Sequence, residues 1–315
     1  MSSSTEDRIR KVAKQLRNWG RWGDGDELGT LNYITPEKIV QAARLVKQGK
    51  VISLALPYDS RGPQNGSFGR VNPVHTFVMT GTDAAAGRQP YPHGIGFGDD
   101  AISMFLQCGT QWDGLSHVFD HGKMWNGYDA NRVTSRGAEL NGIEKMAAKI
   151  VSRGVLLDIA RSKRVEALKP GHAISEQELT GCAAAEGVEI GRGDIVLVRT
   201  GQLGYCRKHG WGEFAAGDAP GLSFETARWL QRSEIAAIAS DTWGLEVRPN
   251  ELPDSFQPLH QVMIPNIGLL VGEIFDLESL ADDCAEDKVY EFMFVAPPLP
   301  ITGAVGSPVN PQAIK

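Results

Sequence analysis

Apolar runs along the chain alternate with mixed apolar and charged segments, a pattern that predicts strands and helices in turn. Short runs rich in Val, Ile, Leu and Ala predict buried strands. These runs are VISLAL from Val51, GVLLDI from Gly154, DIVLVRT from Asp194, IAAIASDT from Ile235, which ends in polar residues, GLLVGE from Gly268 and YEFMFVA from Tyr290. Strands that alternate with helices favour a layered α/β domain, with loops at the strand ends available for chemistry.

Capping signals indicate where the helices begin. We expect the first helix to begin at Thr35-Pro36 and to end at Gly49, because Thr caps helices and Pro suits the first helical position. The segment 175–178, Ser-Glu-Gln-Glu, matches a capping box and predicts a helix that ends near Gly187. A further helix is predicted from Ser223.

Two segments predict irregular structure. The segment from Pro57 to Asp100 is rich in Gly, Pro and Asn, and we expect long surface loops there with one strand around residues 75–79. The C-terminal segment from Pro298 has too many Pro and Gly residues to predict regular structure. No Pro-rich or Ser-rich linker divides the chain, so we predict one domain over residues 1–315 with a helical N-terminal extension of about residues 1–50.

Composition and charge narrow the function classes. Of 315 residues, 42% are hydrophobic and 22% charged, and 32 Lys+Arg against 38 Asp+Glu give a net charge of −6. Because no Lys/Arg-rich block occurs, no nucleic acid is expected as a partner, and a small molecule becomes the default. The longest uncharged stretch, 295–314, holds five prolines and predicts no membrane helix. Four widely spaced cysteines and the lack of an apolar N-terminal leader favour a cytoplasmic protein.

The densest group of polar side chains able to bind a ligand lies in QCGTQWDGLSHVFDH, residues 107–121. In an extended backbone Gln111 and Asp113 point to the same side, so two oxygen atoms could converge on one cation. The same residues are also compatible with a turn at Asp113-Gly114 and a hydrogen-bonded, partly buried His117. No G-x-S-x-G, G-x-x-x-x-G-K-[ST] or G-x-G-x-x-G motif is present, which argues against a serine nucleophile and nucleotide binding.

The motif GTQWDGLSH resembles the signature H-x-G-T-H-x-D-x-x-x-H of the metal-dependent cyclase family, which includes bacterial kynurenine formamidase and isatin hydrolase. Other segments resemble the family in the same order, so that the resemblance covers roughly residues 20–314. They are RGVLLDIA, GRGDIVLVRTG, PGLSFETARWL, IASDTWGLE, LHQVMIPNIGLLVGE and PLPITGAVGSPVNPQAI. The resemblance implies the swivelling β/β/α fold of kynurenine formamidase and the cyclases, a mixed sheet with flanking helices, and a homodimer or homotetramer.

The resemblance also implies a set of metal ligands. Position by position, the signature carries over to Gln107, Gln111 and Asp113 as ligands and to His117 as the catalytic residue near the attacking water, and the downstream ligands correspond to His260 and Glu273. Two glutamines therefore stand where the formamidases have histidine. Because an amide oxygen is a harder and weaker donor than imidazole, we expect one divalent metal, zinc or manganese.

The function implied is a metal-dependent hydrolase that uses metal-activated water to open a cyclic amide or lactone, or to cleave an N-acyl aromatic amine. Its partner would be a small molecule, with an aromatic or unsaturated ring. The alternative is a metal-free protein of the same fold that binds a small acid. Trp112, His121 and Trp243 are candidate substrate-binding residues, although a core tryptophan and an exposed loop histidine would have the same sequence pattern.

Overall fold

Strands and helices follow one another in the alternating order that the apolar pattern predicts. The computed structural model describes residues 4–315. Its strands are β1 (Val51–Ser53), β2 (Val74–Met79), β3 (Asp99–Ser103), β4 (Gln111–Asp113), β5 (Val133–Thr134), β6 (Gly137–Ala138), β7 (Val151–Asp158), β8 (Ala173–Ile174), β9 (Ile195–Arg199), β10 (Gly221–Leu222), β11 (Ala237–Ser240), β12 (Leu270–Glu273), β13 (Glu291–Val295), β14 (Gly306–Pro308) and β15 (Gln312–Ile314).

The α-helices are short and lie between the strands. They are α1 (Thr5–Leu16), α2 (Pro36–Ala43), α3 (Gly81–Ala85), α4 (Ile159–Ser162), α5 (Glu176–Glu186), α6 (Gln202–His209), α7 (Ala227–Arg232), α8 (Pro258–Val262) and α9 (Glu278–Asp287). A π-helical turn, Met263–Ile267, directly follows α8.

One large mixed sheet organises the fold, as the sequence predicts. Its strand order is β1-β15-β13-β7-β9-β11-β12-β4-β14. The four central strands β7, β9, β11 and β12 run parallel, and the strands on either side pair antiparallel. Parallel strands are covered on both faces, which explains why the central strands are continuous apolar runs rather than alternating ones. Val155, Leu156, Val196 and Leu197 are all fully buried there.

Two of the three predicted helix starts are confirmed by their caps, whereas Ser223 caps a short 3-10 turn, Phe224–Thr226, that precedes α7. The Thr35 hydroxyl accepts from the Lys38 amide before α2, and Ser175 with Glu178 forms the predicted capping box of α5. Helix α2 ends at Ala43 rather than at the predicted Gly49. Most of residues 44–50 are exposed and bury no apolar face that would prolong the helix.

A helix precedes the one that we expected to be first. Helix α1 begins with a capping box between Ser4 and Asp7 and buries Ile9, Val12 and Leu16. It packs against α8 and the π-helical turn. The prediction that the first helix begins at Thr35 is therefore wrong, because an amphipathic N-terminal segment already buries an apolar face on the core.

The C-terminal segment is also more regular than its composition predicts. Strand β15 pairs between β1 and β13, and β14 pairs with β4 at the sheet edge. The expectation of no regular structure is wrong because neighbouring strands supply the backbone partners, and an edge position tolerates Pro308. The expected strand near 75–79 exists as β2, and it pairs with β3 in an exposed two-stranded ribbon.

Within residues 4–315, no helix combines the length and the apolar character needed to cross a membrane. The four cysteines are free.

Glu186, the last residue of α5, provides a stability test. Burial raises the pKa of Glu186 to about 7, and one of its carboxyl oxygens accepts from the Asp158 amide. The folded state therefore binds more protons than the unfolded state between the ordinary carboxyl pKa and about 7, so stability falls as pH rises through this window. We expect Glu186→Gln to be more stable than the wild type at pH 8 and to lose this advantage at pH 4. Denaturant unfolding at several pH values measures this, with Glu189→Gln, an exposed residue nearby, as the control. A pH-independent difference would contradict the assignment.

Candidate active site

The pairing of β4 with β12 places three polar side chains on one face of the sheet. Gln111 lies opposite Glu273, and Asp113 lies opposite Val271. Because side chains alternate along a strand, Gln111 and Asp113 project to the face that Glu273 also shares. Trp112, between them, projects to the other face.

Two carboxylates and one imidazole converge on this face. Donor atoms of Asp113, His260 and Glu273 all lie within 4.8 Å of one another. The three residues are buried, with 2%, 1% and 4% of their surfaces exposed. Buried carboxylates this close repel each other and need a compensating positive charge. The arrangement is therefore suited to a cation.

His260 is oriented by Glu246, a residue that the sequence did not single out. Oε1 of Glu246 lies 2.6 Å from Nδ1 of His260 and also accepts from the His260 amide, and Oε2 accepts from the Leu259 amide. The carboxylate thus holds both the first turn of α8 and the imidazole ring. With Nδ1 engaged by Glu246, Nε2 faces Glu273 Oε1 at 3.3 Å and is free to act as a ligand atom.

Burial and charge change the proton affinity of the cluster. Burial, followed by the charge of Asp113, raises the pKa of Glu273 to about 7. For His260, burial opposes protonation, but the adjacent carboxylates of Glu246 and Glu273 outweigh it and raise the pKa to about 10. Without a bound metal, the imidazolium form of His260 supplies part of the positive charge that the carboxylates require.

Gln111 adds a neutral group to the cluster. Its Nε2 donates to Glu273 Oε2 at 2.8 Å and to Asp113 Oδ1 at 3.3 Å, and its Oε1 is buried without a hydrogen-bond donor. The amide nitrogen therefore faces the carboxylates, and a cation bound by Gln111 would require the carboxamide to turn so that Oε1 faces inward.

Gln107 lies beside β14, the strand that pairs with β4. Its Nε2 is buried without a partner and approaches Gly306, where a Cβ atom would lie only 2.8 Å from it. Gly306 pairs with Asp113 in the β14–β4 register. No hydrogen bond joins Gln107 to Gln111, Asp113 or Glu273 in the described part of the chain.

His117 follows β4 in a turn in which its amide donates to the Gly114 carbonyl. Its Nε2 lies 3.7 Å from Asp113 Oδ1, and its side chain is 21% exposed. Burial lowers the pKa of His117, Asp113 opposes this, and the charges of Arg70 and His260 add to the lowering. A neutral imidazole at the edge of the cluster is available to accept a proton.

A cavity of about 320 Å³ opens beside the cluster, a size that suits a small organic molecule. His117 and His260 line it together with Arg70, Trp243 and Phe256. Of the three predicted substrate-binding residues, only Trp243 lies there. A larger cavity of about 680 Å³ beside α6 contains none of the predicted site residues.

The structure does not bring Trp112 and His121 to this cavity. Trp112 is fully buried, donates from Nε1 to the Ala296 carbonyl and packs edge-on against Phe275. The ring of His121 is 44% exposed, and its Nε2 lies 3.6 Å from Asp120 Oδ1. Strand alternation sends Trp112 to the core, and a left-handed backbone at His121 directs the chain into an exposed turn.

Four residues beside the cluster or the cavity were not predicted from the sequence: Glu246, Arg70, Phe68 and Phe256. Glu246 ends the segment IASDTWGLE, which resembles the cyclase family, so a signal for it existed. Arg70 and Phe68 lie in the Gly-rich and Asn-rich segment from Pro57 to Asp100, where no periodicity points to a site.

Comparisons with known proteins agree on the family. The family model Cyclase, described as "Putative cyclase", matches residues 34–247. The crystal structure of a novel cyclase is 39% identical, with a TM-score of 0.87, covering 96% of this chain and 99% of that one. No curated protein matches the chain.

More distant solved structures share the fold. Isatin hydrolase A from Labrenzia aggregata, bound to benzyl benzoate, is 17% identical with a TM-score of 0.60, covering 88% of this chain and 97% of that one. A predicted metal-dependent hydrolase from Bacillus stearothermophilus is 15% identical with a TM-score of 0.51, covering 84% and 97%.

Glu246→Gln tests the role of Glu246 in holding α8 and His260. The substitution removes a buried charge that accepts from two backbone amides and lies beside the imidazole, so we expect a loss of about 1.5–3 kcal/mol in the free energy of unfolding. Urea denaturation of the chelator-treated protein measures it. Asp254→Asn, at an exposed position in the same loop with a left-handed backbone that Asn tolerates, is the matched control. Equal losses in the two variants would contradict this role.

Proposed function

Because the chain belongs to the cyclase family, we propose that it is a metal-dependent hydrolase that opens a cyclic amide or lactone, or cleaves an N-acyl aromatic amine. The observation that carries the proposal is the convergence of Asp113, His260 and Glu273 in a buried cluster beside a cavity. The fold shared with isatin hydrolase A and with a predicted metal-dependent hydrolase supports it.

The residues of the cluster fit a divalent cation. Two buried carboxylates provide negative charge, and His260 presents Nε2 with Nδ1 fixed by Glu246. A cation would take the place of the proton on His260 and stabilise the ionised carboxylate of Glu273, whose pKa is raised by burial and then by the charge of Asp113. Gln111 would join the ligand set through Oε1 after its carboxamide turns. Gln107, in the loop before β4, would offer a second amide oxygen.

The donor set favours one metal. One imidazole, two carboxylates and neutral amides supply mostly oxygen atoms, which lowers the preference for zinc that a nitrogen-rich site has and makes manganese a competitor. The amides carry no negative charge to support a second cation. We therefore propose one divalent metal per chain, zinc or manganese.

When bound, a divalent cation lowers the pKa of water and polarises a carbonyl, and both effects favour hydrolysis at neutral pH. His117, neutral because burial lowers its pKa, accepts the proton of the attacking water at its imidazole. It returns that proton to the leaving nitrogen or oxygen as the C–N or C–O bond breaks. Asp113, 3.7 Å from His117 Nε2, stabilises the imidazolium formed in between.

Metal content tests the proposed site directly. We expect one equivalent of zinc or manganese in protein purified without chelator and dialysed against either metal, measured by elemental analysis. His260→Ala and Glu273→Ala each remove one of three ligand groups and should lose the metal. His172→Ala, at a partly exposed histidine that pairs with Glu178, should keep it. Two equivalents would contradict the single site, and no metal would favour the alternative of a metal-free small-acid-binding protein.

His117→Asn separates catalysis from metal binding. The variant should keep the metal and lose roughly 10²-fold or more in turnover, since general acid–base catalysis contributes about that much. The measurement is kcat on the best substrate from a panel of lactones and N-acyl aromatic amides, with metal content determined on the same samples. His93→Asn, an exposed histidine with a left-handed backbone that Asn tolerates, is the control. Full activity of His117→Asn would remove His117 from the mechanism.

A further inference from the structure

Arg70 brings an unpaired positive charge to the cavity beside the cluster. Its guanidinium lies 5.3 Å from the centre of the Trp243 ring, and both residues line the cavity. Among residues 4–315, no carboxylate lies within ion-pair distance of Arg70, and its side chain donates no hydrogen bond.

Two other arginines that are at least partly buried form ion pairs, whereas Arg248 forms none within the described residues. Arg199 binds Asp158 and Glu278, and Arg153 binds Asp194 and Glu291. Shielding a guanidinium from water without a partner is unfavourable, so paired arginines are the expected arrangement. Arg70 departs from it at the wall of a cavity, where a bound anion would supply the missing partner.

The positive charge at this wall is reinforced by a second arginine. The Arg248 guanidinium lies 5.9 Å from the same Trp243 ring, and its Nη1 is buried without a hydrogen-bond acceptor. Arg248 does not line the cavity, so it strengthens the positive field there without offering a direct contact.

Aromatic surfaces surround the unpaired charge. The Phe68 ring stacks on Trp243 at 5.7 Å and lies 5.6 Å from the Phe256 ring. Phe68 and Phe256 are more than half exposed, and Trp243 Nε1 is buried without an acceptor. Exposed aromatic faces next to unpaired donors suit a ligand that is both planar and anionic.

We propose that Arg70 binds the carboxylate of an aromatic acid in this cavity, with the ring of the acid packed among Phe68, Trp243 and Phe256. The substrate class of the hydrolase is then an amide or lactone that carries an aromatic carboxylate, an assignment that rests on the proposed function. A carboxylate fits because the planar guanidinium fork matches its two oxygens. Its single charge is also repelled less than a phosphate dianion by Asp113 and Glu273.

The test compares benzoate with benzamide, its neutral analogue of the same shape. Binding to wild type, Arg70→Met and Arg70→Lys is measured by isothermal titration calorimetry, with the protein chelator-treated and again loaded with zinc. In the chelator-treated samples no metal is present to bind the carboxylate, so a preference for benzoate there cannot come from the metal. Metal content is measured on every sample, so that a failure to bind metal is seen separately from a failure to bind benzoate.

We expect wild type to prefer benzoate to benzamide, and Arg70→Met to weaken benzoate binding about tenfold or more in both arms, since a hydrogen-bonded ion pair is lost. Benzamide affinity should change less than about twofold, and Arg70→Lys should keep part of the preference. Arg61→Met is the control, because Arg61 is 88% exposed and pairs with Asp59. Equal benzoate affinity in wild type and Arg70→Met, or no preference for benzoate in wild type, would overturn the proposal.

Discussion

The burial of two carboxylates, at diagonal positions of the neighbouring strands β4 and β12, is the constraint on which the rest of the site depends. Asp113 and Glu273 are held there by a strand register that is part of the main sheet. The chain offsets their repulsion with the Gln111 amide and with His260, which Glu246 holds in place. Each of these neighbours is buried as well, so the site is formed by the folding of the core and not by surface loops.

The elements beyond the sheet support this arrangement. Helix α8 begins where Glu246 accepts its first amides, and α1 packs on α8 and on the turn that follows it. On the side of β4 away from β12, β14 pairs with β4. Gly306 in β14 has no side chain, which lets Gln107 approach closely. An N-terminal helix and a C-terminal strand thus pack around the elements that hold Asp113, His260 and Glu273. The N-terminal helix and the C-terminal strand stabilise the site as well as the fold.

Features that depend on local sequence could be predicted. The central strands follow from apolar runs, and the helix starts at Thr35 and Ser175 follow from side chains that cap the adjacent backbone. Strand alternation correctly put Gln111 and Asp113 on one face. The same alternation sends Trp112, a predicted substrate-binding residue, into the core.

Features that depend on contacts distant in sequence could not be predicted from local pattern. Strands β14 and β15 form because β4, β1 and β13 offer them unpaired backbone groups, which overrides a composition that disfavours strands. Glu246 contacts His260 from another loop, and Arg70 approaches Trp243 from a segment that is far away in sequence. Neither position stands out by spacing or composition. The resemblance to the cyclase family points to Asp113, His260 and Glu273, which the structure brings together, but it does not point to Glu246 or Arg70.

The cavity borders the carboxylate cluster through His260 and carries Arg70 on its wall, and this arrangement links the two proposals. The carboxylate cluster lies at one side, the neutral His117 at its edge, and the Arg70 guanidinium against the aromatic wall. A substrate that presents a carbonyl to the cluster and a carboxylate to Arg70 would be held at two points with its ring between them. Two-point binding fixes the orientation of the scissile bond toward His117, which a ring held by stacking alone would not do. The aromatic wall would then contribute affinity, and the charged groups at either end would set the direction in which the substrate binds.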